Sequence, residues 1–403
     1  MSGVLPDASP TPSPRSEGPS DLPLVNRLLI ISHVVHYEQD GRLHATGGYS
    51  SEIDIWASLF PQVTIAAPLR RENPSGDCRP FSEANIAIAP QYETGGPGWR
   101  AKVRQLALLP RIVSGLCREM LRADAIHVRC PGNLGLLGAL LAPLFSRRLF
   151  AKYAGQWIDC RDEPLTVRMQ RSVLRSRWWR GGVVTVYGQE DRQPRHVMSL
   201  FASSLTAEQS RRAARSAWAR PAPDKPLRCL FVGRLSAQKH ADTLVRAISR
   251  LKSEMDVLGT IVGDGPERAR LEQLARERGV ENEVTFAGGL PFERVLDLYE
   301  THDALILTSD TEGWPKALVE GMAFGLVCIG SDRGLVPEML ANGRGFVVPP
   351  GDDQAVTDRL RQTANNPDKA RAIGNAAAAW ASRWTRENLR ESLGELLEQR
   401  WGT

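Results

Sequence analysis

Ser309-Asp310-Thr311-Glu312-Gly313-Trp314-Pro315-Lys316-Ala317-Leu318-Val319-Glu320-Gly321-Met322-Ala323-Phe324-Gly325 carries two carboxylates eight positions apart. Ala304 to Leu307, just before it, reads as a buried strand. Pro315, with its fixed φ and missing N–H, suits the first position of a helix. Glu312 then lies in the loop before that helix and Glu320 about two turns inside it. Backbone N–H groups around Gly313, Trp314, Lys316 and Ala317 lack intrahelical acceptors and favour an anion. The arrangement suits a phosphorylated ligand with hydroxyls on both sides, one carboxylate for a sugar and one for a ribose. A plainer reading is a capping carboxylate followed by a glutamate on the helix surface.

A second cluster lies upstream. Leu227-Arg228-Cys229-Leu230-Phe231-Val232-Gly233-Arg234-Leu235 is an apolar strand ending in Gly-Arg, and Lys239 follows five residues after Arg234. Gly233 lets a ligand approach the backbone, and Arg234 offers a planar fork to phosphate oxygens. Lys239, at the start of the next helix, adds a point charge. Arg and Lys after a strand are otherwise a solvated edge. Here they open a βα unit in the half of the chain that also holds Glu312 and Glu320.

Strand and helix patterns alternate along the whole chain, predicting an α/β protein with parallel sheets. In the first half, strands are expected at 28–35, 63–68, 85–89, 125–130, 149–153 and 183–187. Helices are expected at 51–60, 99–122 and 134–145. A polar Arg/Ala/Pro-rich stretch, 207–226, reads as a linker. A second series of strands follows near 228–234, 257–263, 283–287, 304–309, 326–330 and 346–348. The reading is a disordered tail over 1–23 and a Rossmann-like domain over 24–206. After the linker come a second Rossmann-like domain over 227–385 and a last helix over 386–403. Ligands of such sheets sit at the carboxyl ends of the strands, and here they are expected to face a cleft between the two domains.

At 403 residues, two domains are the natural division. Cys78, Cys117, Cys130, Cys160, Cys229 and Cys328 are scattered without a Cys-x-x-Cys pair, which fits thiols in a reducing compartment. Residues 1–23 are rich in Ser, Pro and Gly and lack the apolar core of a signal peptide. No run approaches the roughly 20 apolar residues of a spanning helix, so the expected location is the cytoplasm. The basic excess is local: 29 Lys+Arg against 20 Asp+Glu through Lys225, and 22 against 26 beyond it. No Gly-x-Gly-x-x-Gly follows the first strand of either half and no P-loop occurs, which argues against dinucleotide and ATP binding. No nucleic-acid-reading motif accompanies the basic residues.

The C-terminal half resembles the family 4 glycosyltransferases, retaining enzymes of the GT-B superfamily. The resemblance rests on Phe231 to Leu235 with Lys239, then Val262-Gly263-Asp264-Gly265-Pro266-Glu267 and Val284-Thr285-Phe286-Ala287-Gly288. It continues through Glu312 to Glu320, then Gly343-Arg344-Gly345-Phe346-Val347-Val348 before Pro350-Gly351-Asp352. It implies that Arg234 and Lys239 hold the diphosphate, Glu312 binds donor-sugar hydroxyls and Glu320 binds the ribose. Amides around Gly313 to Ala317 would add anion contacts. The chain has no Asp-x-Asp, the carboxylate pair with which the other large class of sugar-nucleotide transferases holds a divalent metal. No metal or other cofactor is expected. The family's final helix braces the N-terminal domain.

In the first half, Ala45-Thr46-Gly47-Gly48-Tyr49-Ser50-Ser51 reads as a Gly-rich loop leading into a helix capped by Ser50 or Ser51. Ile53, Ile55, Trp56 and Leu59 would be its buried stripe. In the family this loop, with Gly47 and Gly48, approaches the donor phosphates and the acceptor. A simple connecting turn is the other reading.

Two departures stand out. The family often has His-x-His at the end of its fourth strand, where this chain has His127-Val128-Arg129. His127 is thus either a donor-sugar contact or an inward-facing structural histidine. His240 stands where the family usually has Gly after the lysine, and is expected to reshape the start of the following helix. The segment 167–180 carries Arg168, Arg171, Arg175, Arg177 and Arg180 beside Trp178 and Trp179. With the basic helix near Arg100, Lys102 and Arg104, it is either a solvated face or a contact with anionic membrane at the inner face of the cell membrane.

The function these residues imply is a hexosyltransferase of polysaccharide or glycoconjugate biosynthesis. It would move sugar from a nucleoside-diphosphate donor to a glycan, lipid-linked or small-molecule acceptor. UDP-sugars lead GDP-sugars in the resembled family. A sugar-nucleotide 2-epimerase or hydrolase on the same fold, and a non-catalytic partner protein, are the alternatives.

Overall fold

A computed structural model describes residues 25–74, 76, 78–94, 96, 98–158, 164–188, 193–220 and 226–402. The expected tail and Cys160 lie outside this set. The described residues fall into two compact units, Ala202–Asn388 and the remainder, which includes the chain's last residues from Leu389 on.

The first unit opens with β1 (Arg27–Ile31), then a hairpin of β2 (His36–Gln39) and β3 (Arg42–Thr46). Asp40 and Gly41 turn that hairpin with positive φ of 51° and 71°, as a two-residue loop between twisted strands requires. There follow α1 (Gly47–Ala57), β4 (Gln62–Arg70), β5 (Cys78–Pro80), β6 (Ile86–Gln91), α2 (Trp99–Met120) and β7 (Ala125–Cys130). The unit continues with α3 (Asn133–Leu141), β8 (Leu149–Tyr153), α4 (Leu165–Arg175), β9 (Val183–Val186) and β10 (Val197–Ser199). The sheet order is β10-β9-β8-β7-β1-β4-β2-β3-β5, with β6 also on β4. From β10 to β4 the pairings are parallel. These strands are apolar along their whole length because helices cover both faces: every residue of β7, β8 and β9 is buried.

The strand expected over 28–35 stops at Ile31, because Ser32 Oγ accepts the Val34 N–H at 3.2 Å and bends the chain out of the ladder. The helix expected to be capped by Ser50 or Ser51 starts earlier, with Thr46 in the capping position. Gly47 and Gly48 therefore form its first turn, and both serine hydroxyls donate to the Gly47 carbonyl. Ile53, Ile55 and Trp56 are buried as expected, while Leu59 packs at the margin of the same core.

The second unit holds α5 (Ala207–Ala219), β11 (Leu227–Val232), α6 (Asp242–Leu251), β12 (Val257–Val262), α7 (Arg268–Glu277), β13 (Val284–Gly288) and α8 (Phe292–Thr301). After these come β14 (Ala304–Leu307), α9 (Lys316–Ala323), β15 (Val327–Ser331), α10 (Val336–Leu340) and β16 (Phe346–Val348). The chain ends in α11 (Asp353–Asn365), α12 (Pro367–Ala381) and α13 (Arg386–Trp401). The sheet order β13-β12-β11-β14-β15-β16 is parallel throughout. All its carboxyl ends thus share one edge. From Leu389 onward α13 packs in the first unit's core, burying Leu389, Leu393, Leu396, Leu397 and Trp401 beside Phe60.

The stretch read as a linker is mostly helix α5. Thr206 and Gln209 form a reciprocal capping box at 2.9 and 3.1 Å, which Arg/Ala-rich composition disguised. Arg212 on α5 forks onto Asp297 and Glu300 of α8 at 2.8 and 2.7 Å. Beyond it, the largely buried Arg220 guanidinium donates to the carbonyls of Tyr299, His302 and Phe324.

Candidate functional site

In the second unit, β11 and β12 end side by side. Gly263 has a φ of 128°, and a Cβ there would lie 1.9 Å from the Gly233 carbonyl oxygen. The close approach is sealed by Gly233 N–H to Val262 O at 3.0 Å and Leu235 N–H to Asp264 O at 2.9 Å. A Cβ at Gly233 itself would meet only the Phe231 ring at 3.6 Å, so protein packing does not demand glycine there. Arg234 leaves this seam exposed to solvent.

Lys239 ends a single 3-10 turn, Ala237–Lys239, ahead of α6 and not inside that helix's first turn. Its Nζ lies 2.7 Å from Glu312 Oε1, with Lys239 30% and Glu312 8% exposed at the side chain. The two segments are also joined by Asp310 N–H to Gln238 O at 2.9 Å. His240 adopts the left-handed conformation, φ 48°, that glycine adopts freely, and its Nε2 lies 2.8 Å from Asp310 Oδ1. The departure thus keeps a glycine-like backbone and adds a contact to the carboxylate loop.

That loop is held from the far side as well. Ser331 Oγ donates to Ser309 O at 2.7 Å. Gly334, φ 55°, comes so close that a Cβ would sit 1.9 Å from the Glu312 carbonyl oxygen. The Ser309 hydroxyl is buried without a hydrogen-bond partner among the described residues. Pro315 occupies the capping position and Lys316 begins α9, one residue later than the sequence reading. Trp314 turns its ring inward, edge-on to Trp384 with centroids 5.2 Å apart, so only its backbone can serve a ligand. Glu320 is buried on α9 and accepts from the Tyr299 hydroxyl at 2.9 Å. Burial holds its carboxyl above the ordinary glutamate value, against the opposing hydroxyls of Ser204 and Tyr299 and the charge of Lys316.

The second unit therefore gathers Gly233, Arg234, Lys239, Glu312, Gly313, Lys316, Ala317 and Glu320 on the carboxyl side of β11 and β14. The first unit holds the rest. Gly47 and Gly48 lie at the start of α1. His127 is fully buried in β7, its ring 4.3 Å from that of Trp56 and 5.1 Å from Phe150, with neither nitrogen hydrogen-bonded among the described residues. Burial lowers its pKa far below the usual range, with nearby Arg129 adding to the effect. It is sealed from solvent as a core histidine. Arg129, two residues on, reaches Glu52 of α1 instead, and Lys152 of β8 joins the same carboxylate. Sequence reasoning passed over Glu52 and Lys152. The signal was a charge inside each apolar pattern, Leu149-Phe150-Ala151-Lys152-Tyr153 and Ile53-Asp54-Ile55-Trp56 with Glu52 before it.

Residues 214–380 match the family model for glycosyl transferases group 1. N-acetyl-alpha-D-glucosaminyl L-malate synthase of Bacillus anthracis is 31% identical over 140 residues, 34% of this chain and 36% of that protein. The chain thus matches about a third of the length of that curated relative. The GDP-mannose-dependent alpha-(1-6)-phosphatidylinositol monomannoside mannosyltransferase of Mycolicibacterium smegmatis is 27% identical over 289 residues, 66% of this chain and 74% of that protein. The structure of Anabaena Alr3699/HepE in complex with UDP-glucose superposes with a TM-score of 0.68 at 18% identity, covering 93% of this chain and 99% of that one. Two parallel α/β units of this kind are the GT-B architecture. Residues 214–380 thus carry the chain's likeness to the group 1 glycosyl transferases.

Proposed function

We propose that this chain is a retaining glycosyltransferase that works without a metal, moving a sugar from a nucleoside diphosphate to a glycan, lipid-linked or small-molecule acceptor. The observation that carries the reading is Lys239, held by Glu312 at 2.7 Å beside the start of α9, with Arg234 exposed on the same edge. Breaking the anomeric C–O bond loads negative charge onto the leaving diphosphate. Fixed cations and helix-terminal amides placed there stabilise the transition state more than the ground state. In this reading Arg234 and Lys239 take the diphosphate. Glu312, already oriented by Lys239, accepts from donor-sugar hydroxyls, and Glu320 accepts from the ribose. One relative's name specifies GDP-mannose and one similar structure holds UDP-glucose, so both donors are candidates, with UDP-sugars the first to test.

A membrane contact by the first unit belongs to the same proposal. On α2, Trp99, Val103 and Leu106 are exposed at helical spacing among Arg100, Lys102 and Arg104, with Trp99 70% exposed. The segment 167–180 offers less than its sequence suggests, because Arg171 and Trp179 are buried. Among the described residues no helix is long and apolar enough to cross a membrane.

Three measurements test these points. Thermal shift against UDP, GDP, ADP and dTDP in EDTA should show stabilisation by one nucleotide, lost in Arg234→Ala/Lys239→Ala. Turnover should fall roughly 10²–10³-fold in Lys239→Ala and in Glu312→Ala. No shift with any nucleotide, or wild-type turnover in a variant, contradicts the assignment. Second, the folded state binds the Glu320 proton more tightly than the unfolded one. Its contribution to stability therefore declines as pH rises from the ordinary value of 4.5 and stays reduced above the raised value. Glu320→Gln should melt higher than wild type at pH 7 and equal it near pH 4, while binding nucleotide more weakly; a lower melting point at pH 7 refutes this. Third, the protein should co-sediment with phosphatidylglycerol vesicles at low salt, and Trp99→Glu/Leu106→Glu should stay in the supernatant. Absence of wild-type sedimentation removes the membrane contact.

A further inference from the structure

The first unit holds two cations that the diphosphate reading does not use. Arg129 and Lys152 are the last residues but one of β7 and β8 and are paired across the ladder. Arg129 Nη1 lies 2.7 Å, and Lys152 Nζ 2.8 Å, from the same oxygen, Glu52 Oε1. All three residues are less than a tenth exposed. The guanidinium lies over the Tyr49 ring at 4.9 Å and the ammonium beside the Tyr187 ring at 5.3 Å.

The donor count does not balance. A guanidinium has five N–H donors and an ammonium three, yet among the described residues each reaches a single acceptor oxygen, the one they share. Among the described residues, two cations against one carboxylate leave an excess of positive charge in a region of low dielectric, where an unpaired charge is costly. Burial already pulls the Lys152 pKa down, with Glu52 opposing. Beneath Arg129 on the same face of β7, His127 leaves both ring nitrogens unpartnered, so it supplies no acceptor. A planar fork and a point charge meeting at one position are a recognition set for an oxyanion. The position is the carboxyl edge of a parallel sheet, where ligands of this architecture bind.

We propose that Arg129 and Lys152 form an oxyanion subsite for a phosphate or carboxylate carried by the acceptor, so that the acceptor is itself an anion. This rests on the transferase reading, in which Arg234 and Lys239 of the other unit take the donor diphosphate. The Arg129–Glu52–Lys152 set would then be neutralised on binding, and an acceptor lacking the anionic group would leave the spare donors unpaired. Discrimination against the uncharged analogue follows from that loss.

The test uses the full chain saturated with UDP in EDTA, titrated calorimetrically with glycerol 3-phosphate, glycerate and glycerol. One of the two anions should bind and glycerol should not; which anion binds tells phosphate from carboxylate. Arg129→Gln and Lys152→Gln should each weaken that binding about tenfold or more and leave UDP affinity unchanged. Lys152→Arg, which keeps the charge, should retain most of it and guards against misfolding as the cause of loss. Absence of binding by either anion to UDP-loaded wild type overturns the proposal, as does equal binding by glycerol. Loss of UDP affinity in Arg129→Gln or Lys152→Gln with an unchanged melting temperature also overturns it, by assigning the pair to the donor. Failure of the donor reading itself would show separately, as UDP affinity unaffected by Arg234→Ala/Lys239→Ala.

Discussion

The second unit depends on how closely β11 and β12 come together at their carboxyl ends. The Gly263 Cα faces the Gly233 carbonyl with no room for a side chain, and backbone bonds from Gly233 and Leu235 cross the gap. In a parallel sheet every crossover leaves from this edge, so a seam there fixes where the next segment starts. It sends Arg234 outward and brings the turn at Ala237–Lys239 against the loop after β14. Lys239 and Glu312 come from segments 73 residues apart in the chain and meet only because both strands end on that edge. The Gly334 turn closes on the Glu312 backbone from the other side, so that carboxylate is positioned by main chain on two flanks.

The two units hold charge differently. Arg234 and Lys239 keep water contact, so their charge costs little until a ligand arrives. In the first unit Glu52, Arg129 and Lys152 are withdrawn from solvent, where desolvation is expensive and partner geometry decides the outcome. Tyr49 and Tyr187 add ring faces to the two cations, which softens the cost. Removing Glu52 would strand two cations, so this carboxylate supports the fold as well as orienting its neighbours. Glu320 resembles this cluster more than it resembles Glu312: it is buried, bonded to Tyr299, and kept at a cost in stability.

Legibility in the sequence followed burial. Strands 125–130 and 149–153 were readable to the residue, because strands covered on both faces are unbroken apolar runs. The hairpin His36–Thr46 escaped notice since His36-Tyr37-Glu38-Gln39 and Arg42-Leu43-His44-Ala45-Thr46 carry no such run, although Asp40-Gly41 marks its turn. Helix α5 was mistaken for a linker on composition, where Thr206 with Gln209 three residues on gave its start. At the site, Arg234, Lys239, Glu312 and Glu320 could be named because each follows a readable strand or sits in a readable helix. What pairs them could not: the Lys239–Glu312 contact, the inward turn of Trp314 and the sharing of Glu52 by Arg129 and Lys152 are all long-range. His127 shows the converse, a residue whose chemistry suggested a role that its packing against Trp56 and Phe150 takes away.

The central claim is that the carboxyl edge of β11 and β14, with the start of α9, is where a nucleoside diphosphate binds. Amide hydrogen exchange of the full chain with and without UDP or GDP, in EDTA, addresses it without any substitution. The account predicts slowed exchange confined to residues 233–240 and 312–320, with β7 and β8 unchanged. Protection absent from both segments, or found around 129–152 instead, would contradict it.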